Sequence, residues 1–162
     1  MSNIRKGLIL YPAKSLEMLF SKACEYGMRA IIYIAQQSLT GQKVSLKTIA
    51  KEIDGPEAFT SKILQQLTKK DILKSFKGST GGFIMEECKL KKINLLEVVE
   101  AIDGTKVLTQ CGLGLEVCSE TFPCPVHYKF KAVRNELREM LATTSVYDSV
   151  VGLEQKKLFL KR

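Results

Sequence analysis

Three cysteines and the only histidine of this 162-residue chain fall in one short stretch, Cys111-x6-Cys118-x5-Cys124-x2-His127. Thiolates are soft ligands and imidazole a borderline one, so the set suits an iron–sulfur cluster or zinc. Structural zinc sites usually build on tight knuckles such as C-x2-C. Only Cys124-Pro125-Val126-His127 has that tightness, and the wider spacings suit a loop wrapped around a larger object, which favours a cluster. Reduced free thiols beside a structural histidine remain an open reading. So does a Cys124–His127 catalytic pair, but no oxyanion hole or orienting partner is visible, and the chain reads as a non-enzyme. There are five cysteines in all. The odd count and the lack of a secretion signal argue against a disulfide framework and for a reducing cytoplasm, where clustered cysteines more often bind metal or do redox chemistry. Cys24 and Cys88 lie apart from the cluster and read as small, partly buried residues.

The elements that must position this stretch are mostly helical. Residues 21–37 carry Ala23, Tyr26, Ala30 and Ile34 at helical spacing. Ser45 is an expected N-cap of a short helix whose Leu46, Ile49, Ala50 and Ile53 share one face. Asp54-Gly55-Pro56 breaks it, with Gly55 suited to a left-handed turn and Pro56 to the first position of the next helix. That helix spans about 56–70, with Phe59, Ile63, Leu64 and Leu67 inward. Two short helices joined by such a turn form a helix-turn-helix. A strand at 72–77, a turn at Gly78–Gly82 and a strand at 83–85 follow, and three helices then a basic hairpin make a winged helix. Asn94 and Glu97 form an expected capping box. They open a helix with Leu95, Val98, Val99 and Ile102 on one face, ending at Asp103-Gly104. Residues 105–125 have no sustained period. A loop that long inside a small protein calls for a reason such as a bound cofactor. Helical period returns at Val126, Phe130, Val133, Leu137, Met140 and Leu141, a stripe that either packs on its own domain or, as preferred here, pairs with a second subunit.

The fold class expected is therefore mainly α with a small β-hairpin wing. Its parts are a leader (1–17), a winged helix-turn-helix domain (18–104), the cysteine loop (105–125), a dimerisation helix (126–145) and a tail (146–162). No apolar run nears the roughly 20 residues that span a bilayer, so no membrane role is expected. Leu8-Ile9-Leu10-Tyr11 is too short for a signal-peptide core. The formal net charge is +8. Between residues 62 and 77 Lys62, Lys69, Lys70, Lys74 and Lys77 face one acid, Asp71, a distribution that suits nucleic acid. The glycines at 78–82 lack the following Lys and Ser/Thr of a phosphate loop, which excludes a nucleotide site of that type.

From Met18 to about Thr144 the chain resembles the family of winged-helix transcription regulators that includes IscR and NsrR. Residues 21–30 (SKACEYGMRA) are similar to the family's first helix, 59–67 (FTSKILQQL) to its recognition helix, 77–83 (KGSTGGF) to its wing, and 96–104 (LEVVEAIDG) to its next helix. The resemblance implies a homodimeric, sequence-specific regulator, a repressor, bound to near-palindromic double-stranded DNA. It also implies an iron–sulfur cluster, [2Fe–2S] or [4Fe–4S], that senses redox state, nitric oxide or iron–sulfur status. Cys111, Cys118 and Cys124 would ligate iron, with His127 as fourth ligand. One departure is the first gap of six residues, where five is more usual. Some members carry no cluster, so sensing by thiol oxidation, zinc or a partner protein is the alternative. With the recognition helix in the major groove, Thr60, Ser61, Lys62 and Gln65 are expected to face base edges. Lys69, Lys70 and Lys74 are expected at phosphates, and Lys77, Ser79 and Thr80 of the wing at the minor groove or backbone.

Overall fold

The helices capped by Ser21, Ser45 and Asn94 each open on a local side-chain hydrogen bond legible in the sequence. The computed structural model describes residues 19–154 and residue 160. Ser21 Oγ accepts from the Cys24 amide (3.1 Å) and opens α1, Lys22–Ser38. Ser45 Oγ accepts from Thr48 (3.2 Å) and opens α2, Leu46–Glu52. After α3, Glu57–Lys69, come β1, Lys74–Phe76, and β2, Gly82–Ile84, then the single turn α4, Glu87–Leu90. The Asn94–Glu97 capping box makes both of its bonds, each 3.0 Å, at the head of α5, Leu95–Asp103. Then come α6, Lys106–Thr109, α7, His127–Thr143, and α8, Val146–Glu154.

The turn between α2 and α3 differs in detail from expectation. Asp54, not Gly55, takes the left-handed conformation (φ 54°), which a short polar side chain tolerates. Space is tight at Gly55: a Cβ there would stand 3.1 Å from two atoms of the Tyr26 ring. The two strands pair antiparallel, with Lys74 opposite Ile84 and Phe76 opposite Gly82. Val44 adds a rung outside the hairpin, since its N–H donates to Phe83 O (2.9 Å) and its carbonyl accepts from Phe83 N–H (2.8 Å). A Cβ at Gly82 would lie 2.6 Å from that carbonyl, so only glycine lets the wing approach this closely.

Ile31 and Ile34 of α1 sit at the centre of the main core. They are packed with Ile49 and Ile53 from α2 and its end, Ile63, Leu64 and Leu67 of α3, and Val98 of α5. Val146 and Val150 of α8 complete it. The segment read as a tail therefore starts as a core helix, opened by reciprocal bonds between Ser145 and Asp148 (3.0 and 3.1 Å). Leu160 apart, residues 155–162 lie outside the described residues, as does the leader 1–17. A second cluster joins Cys24, Val99, Leu108 and Leu141. It roots α6 inside the stretch expected to be wholly irregular, because Leu108 finds an apolar site between α1, α5 and α7. No helix among the described residues is long and apolar enough to cross a membrane.

Candidate functional site

Two surfaces carry the candidate chemistry. On α3 the buried stripe is Thr60, Ile63, Leu64 and Leu67, at positions i, i+3, i+4 and i+7. Thr60 was expected to face outward. It is only 1% exposed and its Oγ1 has no partner, so it leaves the set of base-facing candidates. The expected inward Phe59 instead lies at the rim, 36% exposed, edge-on to Tyr26 at 5.9 Å. Ile63, Leu64 and Leu67 are buried as expected, and only the first position of the stripe differs, Thr60 taking the inward place assigned to the apolar Phe59. Lys62, Gln65, Lys69 and Lys70 are exposed, and Ser61 is half-buried. Gln65 Nε2 donates to Ser61 Oγ (3.3 Å), so two of the candidate readers hold each other in place. Pro56 at the N-cap makes no side-chain cap bond, leaving the first amides of α3 available to a phosphate.

In the wing, Lys77, Ser79 and Thr80 are exposed around a turn closed by Gly81 N–H to Gly78 O (3.0 Å). Lys74 is engaged: its ammonium lies 2.6 Å from Glu86 Oε1. Glu86 also meets Lys89 (3.4 Å), which reaches Asp71 Oδ1 at 2.7 Å. The Glu86 carboxyl is held below its ordinary range first by Lys74, and Asp71 by Lys89. Sequence reasoning missed Lys43, whose ammonium sits 4.8 Å from the centre of the Phe76 ring on the wing. The signal was weak, a lysine in a polar loop brought there by the Val44–Phe83 rung.

The second surface is the cysteine loop where it meets α7. The loop brings Cys111, Cys118, Cys124 and His127 together as two pairs. Cys118 Sγ lies 3.4 Å from His127 Nδ1, and Cys124 stands near enough to Cys111 to help lower its thiol. Among the described residues no group of three or more Cys, His, Asp or Glu stands close enough to hold a metal ion. His127 is 3% exposed, and its Nε2 is buried with no partner, an arrangement that ordinarily needs an explanation. Arg134 spans the two pairs. It donates to the Gln110 carbonyl (3.1 Å) and to Cys118 Sγ (3.5 Å). The Cys111 thiol is held below its ordinary range, first by the amides of Leu113 and Leu115, then by Cys124 and the Arg134 charge. Cys24 is the opposite case. Burial, with Asp103 beside it, pushes its thiol up to about 12. His127 reaches Cys124 through its backbone N–H to the Cys124 carbonyl (3.0 Å), and its ring turns to Cys118 instead.

Only His127 and Leu141 of α7 are buried. Tyr128, Phe130, Val133 and Met140 are exposed along it, and Leu113, Leu115, Val117 and Phe122 on the loop. Beside the loop a groove of about 500 Å³ lies between Leu19, Val107, Cys111, Phe130 and Leu137.

The family model Rrf2, described as an iron-dependent transcriptional regulator, matches residues 20–151. A candidate HTH-type transcriptional regulator of Aquifex aeolicus is 28% identical over 144 residues, covering 88% of this chain and 97% of that protein. Protein aau3 of Rhizobium meliloti is 26% identical over 145 residues, covering 88% and 92%. Among solved structures, CymR, the global cysteine regulator of B. subtilis, superposes with a TM-score of 0.66 at 22% identity over 82% of this chain and 95% of its own. IscR of T. potens gives 0.66 at 20% identity, over 86% and 90%. At such identities the likeness speaks to the fold, a winged helix in both.

Proposed function

The chain belongs to the Rrf2 family of transcriptional regulators, and from that premise we propose that it is a homodimeric, sequence-specific DNA-binding regulator governed by an iron–sulfur cluster on Cys111, Cys118, Cys124 and His127. The observation that carries the cluster is the buried, unpartnered Nε2 of His127, on a ring whose Nδ1 lies 3.4 Å from Cys118 Sγ. The donor set fits: three sulfurs and an imidazole are what such a cluster takes. A bound cluster supplies a redox-active centre sensitive to oxidants, nitric oxide and iron supply. The chain's own part is to hold the ligands on a loop tethered by Arg134 to α7.

Double-stranded DNA is met by Lys62 and Gln65 of α3 at base edges, supported by Ser61. Lys69 and Lys70 flank the site, and Lys77, Ser79 and Thr80 of the wing reach the adjacent backbone. Dimerisation through α7 is supported by the exposed Tyr128, Phe130, Val133 and Met140, a density of apolar side chains that marks an interaction surface. A two-fold axis there presents two recognition helices to a near-palindromic operator.

The pairwise rather than convergent placement of the four donors favours one alternative, thiol sensing without a cluster. Anaerobic purification, a visible absorption spectrum and iron and sulfide assays decide between them. A brown protein with matched iron and sulfide, lost in Cys118→Ala, is the expected result. A colourless protein after reconstitution with ferrous iron and sulfide would leave the thiol sensor.

A further inference from the structure

Gln66 has no role in the DNA-binding surface just described. It lies on the exposed side of α3, yet its side chain turns back to the protein. Nε2 donates to the carbonyls of Ala101 (2.9 Å) and Ile102 (3.3 Å). These belong to the last turn of α5, whose carbonyls have no partner within the helix.

The end of α5 is also where the cysteine loop begins. Gly104 (φ 70°) closes the helix. α6 follows, anchored by Leu108, and leads directly to Gln110, whose carbonyl Arg134 holds, and to Cys111. Two more contacts make this point a joint. The Asp103 carboxylate accepts from the Ser21 backbone N–H (2.9 Å) and hydroxyl at the cap of α1. A Cβ on Gly27 of α1 would stand 2.2 Å from Ile102 Cδ1 and 3.2 Å from Ile63 Cγ2 of α3. The absence of a side chain at Gly27 thus lets α1, α3 and α5 close on Ile102.

We propose that Gln66 is a positioning residue that couples the state of the cysteine loop to the recognition helix. The inference rests on the sensor reading above. A rearrangement of the loop moves α6 and the end of α5, and the Ala101 and Ile102 carbonyls carry α3 with them through the Gln66 amide. Tightly packed junctions of this kind respond by shifting between discrete arrangements rather than deforming smoothly.

The test compares operator affinity of protein reconstituted anaerobically with ferrous iron and sulfide against the same protein stripped by a chelator. It uses wild type, Gln66→Met and Gln66→Lys. Methionine keeps the length and removes the donor; lysine restores a donor to the carbonyls. Removing one net hydrogen bond shifts an equilibrium about fivefold. The ratio of the two affinities is therefore expected to fall about fivefold in Gln66→Met and to return in Gln66→Lys. Hydrogen exchange supplies a readout without DNA: stripping should change exchange of the α3 amides in wild type but not in Gln66→Met. An unchanged ratio, with both affinities lowered alike, would make Gln66 a plain DNA contact and overturn the proposal while sparing the sensor. Equal affinities of the two wild-type forms would remove the sensor reading, and this inference with it.

Discussion

Lys74 and Lys77 stand three positions apart on the wing, and replacing each with alanine tests how the wing meets DNA. Lys77 is exposed and, among the described residues, has no carboxylate within 4 Å. Lys74 is bound to Glu86 at 2.6 Å. A lysine that neutralises a phosphate releases a counterion and contributes about 0.9 to the slope of log affinity against log salt. In a dimer each substitution acts twice, so Lys77→Ala should lower the slope by about 1.8. Between about 50 and 200 mM salt that makes the wild type lose about tenfold more affinity than the variant. Lys74 must leave Glu86 before it can meet a phosphate, so Lys74→Ala should change the slope by less than half as much. Fluorescence anisotropy of a labelled operator duplex, titrated across that salt range, reads both. Equal slope changes for the two variants would refute the idea that Glu86 occupies Lys74. No slope change for Lys77→Ala would remove the wing from the interface.

Three further outcomes follow from the packing. Cys24 has a folded-state pKa of about 12 against an ordinary 9.0, so its contribution is intact below pH 9 and is lost as pH rises toward 12. Urea unfolding should show wild type losing about 1.4 kcal/mol more per pH unit in that window than Cys24→Ala; parallel curves would contradict it. Gly82→Ala forces a Cβ against the Val44 carbonyl, 2.6 Å away. It should destabilise the fold by about 1–3 kcal/mol in thermal unfolding and weaken operator binding. Thr60→Val removes a buried hydroxyl that has no partner. It should stabilise by up to about 1 kcal/mol and leave operator selectivity unchanged, whereas altered selectivity would return Thr60 to the DNA-facing set.

What the sequence made legible was what local chemistry decides. The caps at Ser45 and Asn94, the break at Asp54-Gly55-Pro56 and the glycine wing are specified by residues within a few positions of one another; the structure holds both caps where expected, and breaks the chain in that turn with Asp54 left-handed and Pro56 as the cap of α3. Long-range contacts were not legible. At the head of α3 apolarity alone picked Phe59 as the inward residue, where Thr60 is 1% exposed and Phe59 lies at the rim against Tyr26. Helix α8 lay hidden because Val146 and Val150 are buried against α1, far away in sequence. A signal was nonetheless present in Ser145-Val146-Tyr147-Asp148, a serine and an aspartate at capping spacing. The four cysteine-loop residues were proposed from their types, and their pairwise placement was not legible there. His127 lies three residues from Cys124, yet its ring faces Cys118, because the loop folds back before α7 begins.

The most direct test of the central claim is the anaerobic affinity of the reconstituted protein and of its Cys118→Ala variant for one operator. The account predicts a difference of roughly fivefold or more, the usual lower scale of coupling between sites. Equal affinity with equal salt dependence would contradict it, leaving a DNA-binding regulator whose cysteine loop does not govern its binding.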